Sequence, residues 1–268
     1  MKNILKTLCI ICFLLALLTA AATAAETAAN AAGGAPSTFP TLGEYLGDIP
    51  QDMTGGTATI FSRENVPLAM MGAAATIVAF TIDRDTQSYF RDTKPLGSKY
   101  KTGNKIGEGT TLAGVVVGMF AVGEIAGNVK LTDTSVASAE AGAVDLVATE
   151  AIKYAAHRKR PSGSNNMSFP SGHTSGTATL AATISEMYDW NPFVAVPLYG
   201  ITAFVGASRI QSNQHHLSDV VAGGVLGTII GKSYASYFKK KRAGRGRAVA
   251  IMPYVDGDAK GVMASLDF

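Results

Sequence analysis

Three short stretches of this 268-residue chain bring cations, histidines and small hydroxyl residues together at spacings that suit an oxyanion. "KYAAHRKRP" at 153–161 sets Lys153 seven residues before Arg160 and closes on Pro161. "FPSGHTSG" at 169–176 holds Ser171, Gly172 and His173 in a row, and "SRIQSNQHHLSD" at 208–219 holds Arg209, His215, His216 and Asp219. Taken alone, each has a plainer reading: cations favoured by a helix C-terminus, a Pro-Ser-Gly turn, a pair of loop histidines. Together they supply three cations, and the two guanidinium forks suit bidentate contact with phosphate. A phosphate ester spreads negative charge over its equatorial oxygens during transfer. Fixed cations and N–H donors aimed at those oxygens are then the main catalytic resource. Gly172 lets backbone approach such an anion closely, Ser171 offers a hydroxyl, and the helix that opens there adds its N-terminal partial charge.

The composite pattern, K-x6-RP, then PSGH, then SR-x5-H-x3-D, resembles the signature of the type 2 phosphatidic acid phosphatase family, which also includes bacterial acid phosphatases and vanadium haloperoxidases. Each fixed position is met: Lys153, Arg160 and Pro161; Pro170, Ser171, Gly172 and His173; Ser208, Arg209, His215 and Asp219. The resemblance implies an all-α, six-helix bundle in which the ends of helices three and five and the starts of four and six share one face. It also implies roles. His215 is the nucleophile that forms a phosphohistidine, and Asp219, four residues on, accepts its other ring N–H. His173 protonates the leaving oxygen and later takes a proton from the attacking water. Lys153, Arg160, Ser171, Gly172 and Arg209 hold the phosphate. The signature spacing selects His215 over His216 and leaves His216 and His157 as bystanders. This scheme calls for no metal and no cofactor.

The elements that must position these residues read as helices. Six apolar, Ala-rich segments run at about 66–83, 109–127, 135–158, 172–188, 192–209 and 217–238, longer than typical strands. Asp133 or Thr134 is the candidate cap of the third, and Ser218 or Asp219 of the sixth. Small residues throughout predict close helix–helix approach. The phosphatase helical domain is thus expected over 66–240. Upstream, 26–65 is rich in Ala, Gly, Thr and Pro with weak periodicity and reads as a lead-in or linker. Downstream, 241–268 reads as a basic linker followed by a small C-terminal β-hairpin, with 248–255 and 261–268 flanking Asp256-Gly257.

Residues 1–25 combine Lys2 and Lys6, an apolar run and small residues, which predicts an export signal peptide cleaved near Ala24 or Ala25. Both cysteines, Cys9 and Cys12, lie inside it, so the remainder has no disulfide and no thiolate metal site. The formal charge is +3. It falls to +1 without Lys2 and Lys6, and to −5 once the six basic residues of "KKKRAGRGR" at 239–247 are also set aside. A single local run of this kind argues against a nucleic-acid binder. It suits a solvated tail, a patch on anionic lipid, or the inner end of a spanning bundle.

Hydrophobic residues make up 47% and charged residues 16%, a balance compatible with a soluble or a membrane bundle. Glu140, Asp145 and Glu150 in the third segment and Glu186 in the fourth are costly against lipid. In a six-span bundle with the site outward, the lead-in would lie inside, whereas a cleaved export signal puts it outside. That conflict favours a soluble or surface-attached periplasmic bundle. The expected function is a metal-independent phosphatase acting outside the cytoplasm on phosphomonoesters or diphosphates. Its substrate is a phosphorylated lipid or a small phosphate ester. The alternatives are a vanadate-dependent haloperoxidase and a non-catalytic envelope protein that uses the terminal hairpin for interaction. Nothing in the sequence sets an oligomeric state.

Overall fold

The computed structural model describes residues 40–245, 249–256 and 259–266. The predicted signal at 1–25 and the first part of the lead-in lie outside them. Among the described residues are nine α-helices: α1 (Leu42–Ile60), α2 (Val66–Thr81), α3 (Asp83–Thr93), α4 (Tyr100–Ile106), α5 (Gly109–Ala126), α6 (Val129–Ala156), α7 (Gly172–Met187), α8 (Pro192–Gln211) and α9 (Leu217–Arg245). Six of these are the apolar segments expected from the sequence. The count of six is corrected by α1, α3 and α4. The last two are short and polar, so a search for apolar runs passes over them. After α9, β1 (Val249–Asp256) pairs antiparallel with β2 (Ala259–Leu266).

The lead-in is corrected too, because α1 occupies it from residue 42 onward. Its start is a capping box: the Glu44 carboxylate accepts from the Thr41 N–H at 2.8 Å, and Thr41 Oγ1 accepts from the Glu44 N–H at 3.4 Å. Neither expected cap of the third segment serves as one. That helix, α6, begins six residues earlier, with Asn128 accepting from the Leu131 N–H at 3.0 Å. Asp133 sits inside it instead and accepts from the Tyr45 hydroxyl at 2.6 Å. At α9, Asp219 is three residues into the helix and reaches back to the His216 N–H at 2.8 Å.

The central pair is α7 against α9. Gly223, Gly227 and Gly231, one turn apart, lay the α9 backbone directly on α7. A Cβ at Gly223 would lie 2.5 Å from the Ser171 carbonyl oxygen, and Cβ atoms at Gly227 and Gly231 would press on the carbonyls of Ser175 and Thr179. Hydroxyl side chains are tolerated in this core because most turn onto their own helix, while Ser175 donates to Asp145 of α6. Thr177 donates to the His173 carbonyl at 2.7 Å, Thr179 to that of Ser175 at 3.0 Å, and Ser185 to that of Ala181 at 2.7 Å.

From Asp133 to Lys153, α6 rises about 30 Å, which separates two charged ends of the bundle. At the far end the basic run is ion-paired, which corrects its reading as a solvated tail as far as Arg242. Lys239 meets Asp189 at 2.6 Å, Lys240 meets Glu64 at 3.6 Å, Lys241 meets Asp48 at 3.0 Å and also Asp52, and Arg242 meets Asp133 at 2.5 Å. Between the ends, three segments are long and apolar enough to cross a membrane by length and composition: Arg63–Thr81, Gly109–Ala126 and Pro192–Gln211. Their outer faces expose Met70, Met71, Ile77 and Val78 on α2, Val122 and Ile125 on α5, and Phe193 and Val196 on α8.

Candidate active site

At the near end, the last turn of α6, the loop at 157–171, the first turn of α7, the last turn of α8 and the loop before α9 converge. The structure gathers Lys153, Arg160, His173, Arg209, His215 and Asp219 there, and the first four all act electrostatically on one another or on the His215 ring. His216 and His157 are not drawn in. His157 ends α6 in a left-handed conformation (φ 45) and its Nε2 faces Asn166 at 3.0 Å.

His215 is 2% exposed, and its surroundings fix its tautomer. Nδ1 lies 2.7 Å from the Ser168 carbonyl oxygen, which can only accept, so Nδ1 carries the proton and Nε2 the lone pair. Nε2 faces the Arg160 guanidinium at 3.2 Å. Asp219 is therefore not the direct partner expected: its carboxylate stands 3.8 Å from Nδ1, because the backbone oxygen occupies the hydrogen-bonding position. It remains the nearest negative charge to the ring. Burial pushes the His215 imidazole down to about 4, against the pull of Asp219 and with Arg160 and Arg209 reinforcing the shift. His173 is pushed down to about 3, first by burial and then by Arg209, His215, Lys153 and Arg160. Both histidines lie outside the three apolar segments.

A layer behind Asp219 was not apparent from the spacing. Arg158 donates through Nη1 to Asp219 at 2.5 Å and to Ser218 at 2.7 Å, and through Nη2 to Asp83 at 2.7 Å. Its guanidinium also lies 4.3 Å from the centroid of the Phe80 ring. Ser168 Oγ donates to the other Asp219 oxygen at 2.6 Å. Burial alone would raise the Asp219 carboxyl, but the hydrogen bonds and the Arg158 charge outweigh it and hold it below the usual range. The one sequence clue was the run of four cations around Pro161, of which only two fall on signature positions.

The anion-facing side is less completely paired. Arg160 donates Nε to Asn165 at 2.8 Å and Nη1 to the Gln214 carbonyl at 3.1 Å. Arg209 donates Nη1 to Asn104 of α4 at 3.1 Å, yet its Nε is buried with no hydrogen-bond partner among the described residues. Lys153 Nζ pairs with Glu150 at 2.5 Å and would lie 3.1 Å from a Cβ at Gly172, so only glycine leaves the lysine this close to the α7 N-terminus. Ser171 also has a structural use. Its hydroxyl is buried as the N-cap of α7, 3.0 Å from the Thr174 hydroxyl, because the cap must satisfy the helix's own first turn. No group of three or more His, Cys, Asp or Glu side chains that could hold a metal ion is found among the described residues.

Residues 135–243, which contain every one of these site positions, match the PAP2 superfamily, the type 2 phosphatidic acid phosphatases. This segment is a PAP2 domain. Its relatives include a lipid A 1-phosphatase of Porphyromonas gingivalis, 40% identical over 82 residues that cover 30% of this chain and 18% of that protein. A lipid A 4'-phosphatase of Helicobacter pylori is 27% identical over 103 residues, covering 38% of this chain and 48% of that one. The chain thus spans less than half the length of either curated relative. Among solved structures, a transmembrane PAP2 type phosphatidylglycerolphosphate phosphatase from Bacillus subtilis superposes with a TM-score of 0.55. It is 20% identical, with 67% of this chain and 98% of that one covered, a likeness of fold. The family match falls on α6 to α9, while the likeness of fold reaches further, over 67% of the chain.

Proposed function

We propose that this protein is a lipid phosphate phosphatase that works through a phosphohistidine on His215. The observation that carries the reading is a buried Arg209 Nε without a partner among the described residues, in the same cluster as a buried His215 whose Nε2 faces the Arg160 guanidinium. An orphaned cationic donor is costly unless an anion completes it. In this reading the phosphoryl oxygens lie among Arg160, Arg209, Lys153 and the α7 N-terminus. His215 Nε2 attacks phosphorus, the P–O bond to the lipid alcohol breaks, and His173 gives its proton to the leaving oxygen. Water then attacks the phosphohistidine with His173 as base, releasing phosphate and restoring His215. Burial first, and the cation cluster after it, hold His173 neutral. A phosphate dianion set among those cations reverses the local field, so the ring takes up the proton it delivers.

Lipid is favoured over a soluble ester by the exposed apolar faces of α2, α5 and α8, which weigh against the soluble alternative and suit a bilayer. The relatives that act on lipid A support the same class of substrate. Location outside the cytoplasm belongs to this proposal and rests on the export-signal character of residues 1–25.

The test is phosphate release from lipid A, phosphatidate and a sugar phosphate, with and without chelator, by the wild type and His215→Ala. Turnover on a lipid should persist in chelator and fall at least about 10⁴-fold in the variant, with helical content unchanged by circular dichroism. Full activity in His215→Ala, or abolition by chelator, would sink the mechanism.

A further inference from the structure

A cavity of about 330 Å³ with a mixed polar and apolar lining lies beside the candidate site, between α3, the turn at 94–99, the start of α4 and the end of α8. That is the size of a small-ligand pocket. Gln87, Phe90, Arg91, Lys94, Tyr100 and Asn213 line it. Its walls are braced independently of any ligand. Gln87 Nε2 donates to Asn213 Oδ1 at 2.7 Å, while Gln211 accepts from the Leu96 N–H and donates to the Gly97 carbonyl, both at 2.8 Å. Two of its non-glycine residues, Lys94 and Asn213, hold positive φ of 47 and 61. Such backbone persists only where the surroundings enforce it.

One feature of the cavity is left over once the fold is accounted for. Lys94 makes no ion pair among the described residues, and Arg91 pairs only with its exposed neighbour Asp92, at 2.9 Å. The cavity also shares two elements with the phosphate site. Tyr100 lies one turn before Asn104, which accepts from Arg209, and Asn213 is two residues before His215. Aromatic faces for C–H surfaces, amides for hydroxyls and cations for an anionic substituent make up a set that suits a phosphorylated sugar.

We propose that this cavity binds the sugar headgroup of a glycolipid carrying two phosphates, the second phosphate meeting Lys94 and Arg91 while the first occupies the His215 site. The inference rests on the phosphatase reading above and deepens it. The variants are Lys94→Asn, which removes the cation but tolerates the left-handed backbone, and Arg91→Gln, both at exposed positions. Full-length protein in detergent is assayed on bisphosphorylated lipid A, on the same lipid with one phosphate, and on phosphatidate. The double variant should raise KM for the bisphosphate about tenfold at unchanged kcat, and change the other two less than twofold. An equal change on all three substrates, or none on the bisphosphate, overturns the proposal. A wild type that releases phosphate from none of them refutes the phosphatase reading instead. The cavity is then judged by equilibrium binding, where equal affinity of wild type and double variant for bisphosphorylated lipid A overturns it.

Discussion

Arg242 and Arg209 are guanidinium groups at opposite ends of the bundle, and they differ in what meets them. Arg242 sits on the Tyr45 ring and pairs through two nitrogens with Asp133, which the Tyr45 hydroxyl also contacts. Around it Lys239, Lys240 and Lys241 each have a carboxylate. Arg209 has one neutral amide on Nη1 and, among the described residues, nothing on a buried Nε. Charges at the far end tie α1, α6, α7 and α9 together. At the near end they are kept incompletely neutralised, a cost that makes sense only if an anion completes the set. Arg158 is the exception there: two carboxylates neutralise it, and it belongs to the scaffold that holds Asp219.

Substitutions separate the two uses of charge. Arg209→Met should lose about 10³-fold in kcat/KM, the scale for removing one donor to a developing oxyanion, while leaving Tm unchanged or higher. A collapse of Tm with activity retained would mean that Arg209 is structural after all. Arg242→Met should do the reverse. It leaves Asp133 buried without its cation, costs about 3 kcal/mol in denaturant unfolding, and keeps kcat within about twofold. Arg158→Ala should do both, lowering Tm and cutting turnover about tenfold to a hundredfold by releasing Asp219. If it changes stability alone, the Asp219 layer has no part in positioning His215.

The smallest effect is a slope with pH. His215 and His173 titrate at about 4 and 3 in the fold, below the ordinary histidine value near 6.5. Between those values the unfolded chain binds the protons first. Their contribution to stability is therefore complete above pH 6.5 and is lost as pH falls toward 4. Tm measured from pH 7 to 4.5 should fall in the wild type and fall less steeply in His215→Gln.

The clustering of the candidate site residues was largely legible in the sequence because they sit at helix ends that apolar runs already mark. Lys153, Arg160, His173, Arg209, His215 and Asp219 come together where those ends meet. The second layer was not legible. Ser168 and Arg158 act on Asp219 from one loop and Asp83 braces Arg158 from the start of α3, and nothing in their local spacing announces a shared partner. Ser171 also serves as the N-cap of α7, a use that looks the same as a ligand hydroxyl when read as letters. The capping box at Thr41–Glu44 was readable but stood in an Ala- and Gly-rich stretch without an apolar period. The ion pairing of the basic run could not be foreseen, since its acids come from α1, α6 and the segments around Glu64 and Asp189.

The glycine ridge of α9 has a mechanical consequence. With backbone seated on backbone at three successive turns, a slide of α9 along α7 by even one residue drives side chains into carbonyls. The two helices that carry Ser171, His173 and Asp219 thus form a rail with a single register. The start of α3 is fastened to the same rail, since Asp83 accepts from the Ser218 N–H at 2.9 Å and from its hydroxyl at 2.7 Å, so the near end is held in that register as well.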